Sequence, residues 1–163
     1  SYGAHGKPRL ANTHEPSLEF NLSHSGEYAL CALTKSHPIG IDIEKIRTAD
    51  ANYYLRLATR FFSRKEFEAI SAAPEHERTL FFFACWTRKE AYLKRHGLGL
   101  HLPLSGFTVN VDSSESAHLI DTPWRPEDLM ITRLQDVPAP RGYRTALAVA
   151  SPQLKNLRHY SLS

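Results

Sequence analysis

Ile39-Gly40-Ile41-Asp42-Ile43-Glu44 alternates without a break, with Ile39, Ile41 and Ile43 on one face and Asp42 and Glu44 on the other. A period of two belongs to a β-strand, because successive side chains leave a pleated backbone on opposite sides. Toward the N-terminus, Phe20 to Ser23 reads as a short strand and Tyr28 to Thr34 as a buried one, with Ser25-Gly26-Glu27 as the turn between them. Toward the C-terminus the period lengthens. Asp50 to Phe62 suits a helix, and Ser63-Arg64-Lys65-Glu66 has the form of a capping box, which predicts a second helix from Arg64 to about Ala72. Pro74 breaks the chain, and Glu75 to His96 forms the longest helical candidate. Its buried side carries Leu80, Phe83, Ala84, Ala91 and Leu93, and Gly97 is placed to end it.

Beyond Gly97 the period shortens again. Phe107 to Val111, His118 to Ile120, Leu129 to Leu134 and Tyr143 to Val149 read as strands. Strands, then helices, then strands favour an α+β fold over a parallel βαβ layout.

The 163 residues, 42% hydrophobic and 23% charged, belong to a globular chain able to bury a core. Leu80 to Trp86 is its longest apolar-looking run, far short of the about 20 residues a bilayer needs. Ser1 to Leu10 has no apolar run behind its basic residues, so a signal peptide is not expected. Cys31 and Cys85 both sit in apolar contexts and are expected as buried free thiols, which fits a reducing cytoplasm. A net charge of +3 suits an acidic partner or a phosphate-rich ligand and is too small to indicate nucleic acid.

Three constellations carry chemistry. Asp42 and Glu44, two apart on a strand, share a face; side-by-side anions call for a cation, and an all-oxygen donor set suits Mg2+. The alternative is an exposed edge strand with a wet polar face. Second, Glu90 and Lys94 in Trp86-Thr87-Arg88-Lys89-Glu90-Ala91-Tyr92-Leu93-Lys94 are four apart on a helix, so a metal-ligating carboxylate and a phosphate-holding ammonium stand one turn apart. An ordinary surface ion pair is the alternative. Third, Asn21-Leu22-Ser23-His24-Ser25 combines a hydroxyl, an imidazole and a tight turn, the makings of an anion site. Ser23 and His24 are neighbours on a strand and point to opposite faces, which argues against a Ser-His nucleophile.

Taken in order, Gly6-Lys7-Pro8, Phe20-Asn21-Leu22-Ser23-His24-Ser25, Ile39 to Glu44, Arg60-Phe61-Phe62-Ser63 with Glu66, Trp86 to Lys94 and Gly97-Leu98-Gly99-Leu100 resemble the 4'-phosphopantetheinyl transferases of the surfactin type. The resemblance is dense from Tyr2 to Val111 and looser after it. It implies an antiparallel sheet packed against helices, mainly the C-terminal half of a pseudo-two-fold architecture, with residues 1–18 a linker bearing the Gly-Lys-Pro loop and 19–163 the catalytic domain. It further implies Asp42, Glu44 and Glu90 as Mg2+ ligands. Lys94 and His24 would contact the pyrophosphate and neighbouring phosphates of coenzyme A, and Lys7 and Ser23 the 3'-phosphate end. Glu66 matches a position implicated in positioning water or assisting proton removal, beside its capping-box role, and Glu90, or a metal-bound water it orients, is the favoured base.

The implied partners are coenzyme A and an acidic acyl or peptidyl carrier protein of secondary metabolism. Arg56, Arg60, Arg64, Lys65 and Arg78 offer the docking surface, with a solvated helix face as the alternative. Most of the family's N-terminal half has no counterpart in these residues, so an N-terminal half from elsewhere or self-association is expected to complete the site. Two other readings remain: a different Mg2+-dependent phosphodiester-cleaving enzyme, and a non-enzymatic interaction module.

Overall fold

The computed structural model describes residues 18–97, 99–151 and 157–161. Lys7, with its Gly-Lys-Pro loop and the rest of the expected linker up to Ser17, lies outside the described residues. Strands β1 (Leu18–Ser25) and β2 (Tyr28–Lys35) form an antiparallel hairpin closed at Gly26 and Glu27. Strand β3 (Ile39–Lys45) follows, then helices α1 (Ala51–Phe61), α2 (Arg64–Ala72) and α3 (Glu75–His96). Strands β4 (Thr108–Val109) and β5 (Leu119–Asp121), the single turn α4 (Asp128–Ile131), and strands β6 (Thr132–Asp136) and β7 (Tyr143–Ala150) complete the chain. Every strand pairing is antiparallel: β1-β2, β3-β7-β6 and β4-β5. The fold is α+β as the element order predicts.

Local chemistry explains the helix ends. Asp50 accepts from the Asn52 N–H to start α1. Ser63 and Glu66 close a complete capping box on α2. Gly97, at a φ of 68° that favours glycine, lets its N–H reach back to the carbonyls of Leu93 and Lys94.

Helix α3 lies across the β3-β7-β6 sheet and is the hub of the fold. The main core gathers around it, from Tyr54, Phe62, Phe82, Phe83, Tyr92 and Phe107 to Ala146 and Ala148 of β7. Its closest approach is at Gly40, where an added Cβ would stand 2.1 Å from the Ala91 carbonyl oxygen and 2.2 Å from the Arg95 nitrogen. Only glycine admits that approach. The helix is buried on nearly all sides, so more than the expected apolar stripe is covered. Arg88 and Lys89 are both fully buried. Arg88 donates from Nε and Nη2 to the two oxygens of Asp136 at 3.0 and 2.6 Å, and from Nη1 to the Asn110 and Asp112 carbonyls.

Some expectations need correction. Residues 129–131, read as the start of a strand, form the last turn before β6. The turn brings the buried Asp128 carboxylate to α3, where Tyr92 donates to it at 2.6 Å and His96 pairs with it at 2.7 Å. The strand expected from Phe107 to Val111 contributes only two ladder residues, because the pairing of β4 with β5 shifts register between Thr108 and Val109. Cys85 is buried, but Cys31 is exposed, since it falls on the outer face of the hairpin. No helix among the described residues is long and apolar enough to cross a membrane.

Candidate functional site

β3 is an edge strand of its sheet, so one row of its N–H groups has no strand partner. The inward side chains of β1 take their place. Asn21 Oδ1 accepts from the Ile41 N–H at 2.9 Å, Ser23 Oγ from Ile43 at 3.3 Å and Ser25 Oγ from Lys45 at 3.0 Å. Alternate residues on one strand satisfy alternate backbone donors on the next. This ladder fixes where β1 sits, and its two hydroxyls then turn toward the acids. Ser23 Oγ donates to Asp42 Oδ1 and Ser25 Oγ to Glu44 Oε2, each at 3.0 Å.

Because Gly40 draws α3 against β3, the side chains one to two turns along the helix meet the carboxylates. Lys94 Nζ donates to Asp42 Oδ1 at 2.6 Å and to Ser23 Oγ at 2.8 Å. Ser23 thus spends its proton on Asp42 and both lone pairs on Ile43 and Lys94, the full capacity of a hydroxyl. Asp42 is only 3% exposed, which replaces the wet-edge alternative with a carboxylate facing α3. Its second oxygen, Oδ2, is buried with no hydrogen-bond partner. The Lys94 ammonium rests on Asp42, so a simple helix-surface pairing with Glu90 does not describe it.

Burial pushes the Asp42 carboxyl up to about 6, against the pull of the Lys94 ammonium. Burial likewise pushes Glu90 up to about 7, with the negative charge of Asp42 adding to it and Lys94 opposing. Both carboxylates therefore gain from a nearby cation.

Ser23, His24, Asp42, Glu44, Glu90 and Lys94 line one cleft of about 450 Å3, drawn from β1, β3 and α3. Six of the eight residues singled out from the sequence meet there. Lys7 lies outside the described residues, and Glu66 is elsewhere. Glu66 is 1% exposed. Its Oε1 accepts from Lys89 Nζ at 2.5 Å and from the Val109 N–H at 2.8 Å, and its Oε2 from the Ser63 N–H at 2.8 Å. The carboxylate joins α2, α3 and β4, with no oxygen left to face a substrate. Two cleft residues were not singled out from the sequence, Leu22 and Trp86. An apolar residue inside a motif reads as core unless the neighbouring wall is known.

An all-oxygen donor set, two carboxyls raised by burial and one orphaned buried oxygen fit a hard divalent cation. Among the described residues, no group of three or more His, Cys, Asp and Glu side chains is arranged so that it could hold a metal ion as it stands. The positive charge within the acid cluster is that of Lys94.

The family model described as "4'-phosphopantetheinyl transferase superfamily" matches residues 38–148. The chain is 35% identical over 150 residues to the 4'-phosphopantetheinyl transferase Sfp of Bacillus subtilis, covering 91% of this chain and 61% of that protein. It is 40% identical over 124 residues to the 4'-phosphopantetheinyl transferase HetI of Nostoc, covering 75% of this chain and 51% of the relative. The crystal structure of Thermotoga maritima holo-[acyl-carrier-protein] synthase shares the fold, with a TM-score of 0.53 at 18% identity over 71% of this chain and 64% of that one.

Proposed function

The chain belongs to the 4'-phosphopantetheinyl transferase superfamily, and on that premise we propose that it transfers 4'-phosphopantetheine from coenzyme A to a serine of an apo acyl or peptidyl carrier protein. The observation that carries this reading is the convergence of three acids, an ammonium, a hydroxyl and an imidazole in one cleft. The ammonium and imidazole suit a diphosphate, and the acids suit the cation that would accompany it.

Asp42, Glu44 and Glu90 would hold Mg2+, which when bound neutralises charge on phosphoryl oxygens. The protein's own groups account for the rest. Lys94 and His24 bind the diphosphate and offset negative charge on the leaving nucleotide. Ser23, saturated by Ile43, Lys94 and Asp42, fixes where the Lys94 ammonium stands. Glu90, or a water that it orients, takes the proton of the carrier serine. The serine oxygen forms a bond to the β-phosphorus, the bridging P–O bond breaks, and 3',5'-ADP leaves with the electron pair. Lys7, as the sequence resemblance implies, would add to the 3'-phosphate contacts.

Arg56, Arg60, Arg64 and Lys65 are exposed on α1 and α2 and suit an acidic carrier surface. Arg64 is engaged with Glu68 at 2.7 Å, and Arg78 donates to the Ala73 carbonyl, so Arg56, Arg60 and Lys65 are assigned most of that attraction. The chain spans 61% of the length of its Bacillus relative, and an N-terminal half or a second copy would supply the remaining nucleotide contacts.

The test is to incubate the chain with coenzyme A, Mg2+ and an apo peptidyl carrier protein and to read the carrier's intact mass. Gain of one phosphopantetheine, lost with chelator, supports the proposal. A carrier that stays apo, with or without an added N-terminal half, refutes it.

A further inference from the structure

Lys94 stands in the last turn of α3, just before His96 closes the helix. The final carbonyls of a helix have no partner within it, so such a turn frays unless something outside holds it. On one side β3 bears on that turn, with Gly40 against Ala91 and Arg95. On the other side stands Asp128, the first residue of α4. At 3.6 residues per turn each residue advances about 100°, so Tyr92 and His96 point about 200° away from Glu90 and Lys94. Asp128 grips that far face with a buried carboxylate. Its Oδ2 accepts from the Tyr92 hydroxyl at 2.6 Å and pairs with His96 Nε2 at 2.7 Å, and its Oδ1 accepts from Arg95 Nη2 at 3.3 Å. Arg95 Nη1 also donates to Thr132 Oγ1 at 2.8 Å, where β6 begins.

A buried carboxylate opposes folding unless it is partnered. One bonded to three neighbouring side chains of a helix fixes that helix in a single register, where apolar packing would let it slide. Asp128 itself lies outside the cleft. We infer that Asp128 is a positioning residue for Lys94: by locking Tyr92, Arg95 and His96 it sets the rotation of the last turn of α3, so that the Lys94 ammonium reaches Asp42 and Ser23. A lysine side chain is a flexible stem, so the place of its ammonium depends on how firmly its backbone is held. Gly40 and Asp128 hold that backbone from opposite sides, and Lys94 projects between them into the cleft. The consequence rests on the transferase reading, in which Lys94 binds the diphosphate, and adds to it a residue outside the cleft that controls this contact.

Acylation of lysines by acetic anhydride, followed residue by residue by peptide mass spectrometry, tests the lock on the chain's own amines. Lys35 and Lys65 are exposed and set the unhindered rate, the fully buried Lys89 reports unfolding, and Lys94 reports the last turn of α3. Asp128→Asn should raise Lys94 acylation at least about fivefold against the exposed lysines while Lys89 stays protected. Tyr92→Phe removes one donor to Asp128 and keeps the ring packed on Phe107. It should raise Lys94 acylation about twofold, and it decides the matter if Asp128→Asn fails to fold. Transfer supplies a second readout. Asp128→Asn should lower kcat/KM about tenfold in the parent and less than about twofold in Lys94→Met, because the effect runs through that ammonium. Unchanged Lys94 acylation in the folded variants, a rise only in step with Lys89, or equal losses of transfer with and without Lys94 would overturn the lock. A selective rise at Lys94 in a chain that transfers nothing, with or without an added N-terminal half, would uphold the lock and overturn only the transferase reading.

Discussion

Glu66→Gln separates a structural role from a catalytic one at the residue where sequence and structure disagree most. In the folded chain Glu66 and Lys89 form an ion pair with both side chains fully buried. The Lys89 ammonium has two oxygen partners, Glu66 and the Phe107 carbonyl, and lies 4.1 Å from the centroid of the Phe107 ring. Glutamine keeps the size of the side chain and removes its charge. Lys89 is then a buried cation without a counterion, and one of the two N–H donors from Ser63 and Val109 faces an amide nitrogen. Breaking a buried pair by removing one partner costs about 3–5 kcal/mol. For a chain of this size, each kcal/mol lowers Tm by about 2–4 °C, so a fall on the order of 10 °C is expected by calorimetry.

The same reasoning fixes a second measurement. Replacing both partners, as Glu66→Gln with Lys89→Met, removes the uncompensated charge and should restore about half of the lost stability. Transfer activity per folded molecule should change less than about threefold in either variant, because Glu66 has no oxygen facing the cleft. A Glu66→Gln variant with unchanged Tm and activity reduced a hundredfold or more would refute the argument and return Glu66 to the catalytic set.

Further outcomes follow from the cleft. Gly40→Ala places a Cβ against the backbone of α3, so a loss of at least about 2 kcal/mol is expected in denaturant unfolding; a loss within about 0.5 kcal/mol would mean α3 can shift freely. Lys94→Met removes the positive charge beside Asp42, and at pH 8 Mn2+ binding followed by electron paramagnetic resonance should tighten at least about tenfold; unchanged or weaker binding would show that Lys94 does not compete for the acids. Glu90 has a folded-state pKa of about 7, above its ordinary value of 4.5, so its ionised form costs stability above pH 7 and that cost disappears as pH falls toward 4.5. Glu90→Gln should therefore be more stable than the parent at pH 8, by about 1–2 kcal/mol after allowance for solvent screening, with the difference gone near pH 5; a parent more stable at pH 8 would contradict the sign.

Periodicity made α1, α2, α3 and the first three strands legible as elements, through signals such as the Ser63 box, the Gly97 stop and the isoleucine alternation of β3, although β2, read as buried, is largely exposed. What it could not reveal were partnerships across long sequence separations. Asn21, Ser23 and Ser25 belong to a stretch read as an anion site, and they complete the backbone of β3 some twenty residues away. Nothing local to Arg88 and Lys89 signals that both are buried, where Asp136 and Glu66 meet them. No local pattern distinguishes an indole packed on three phenylalanines from one that also borders a cleft, as Trp86 does. The acids themselves were legible because Asp42 and Glu44 break an apolar alternation on one side only.

These buried polar partnerships also explain why the cleft can hold so much charge. Three acids gathered around one site, with the Asp42 and Glu90 carboxyls raised by burial, oppose folding. The Asn21-Ser23-Ser25 ladder holds β1 on β3, and the Arg88 and Lys89 pairs tie α3 to β6 and to α2. Lys94 offsets part of the cost at Asp42 in the same conformation. The glycine at position 40 converts that rigidity into proximity, since no other residue would let Lys94 reach Asp42 from a helix laid directly on the strand. A site of this kind is stabilised from its flanks and strained at its centre, which leaves the carboxylates free to respond to a cation or a phosphate when one arrives.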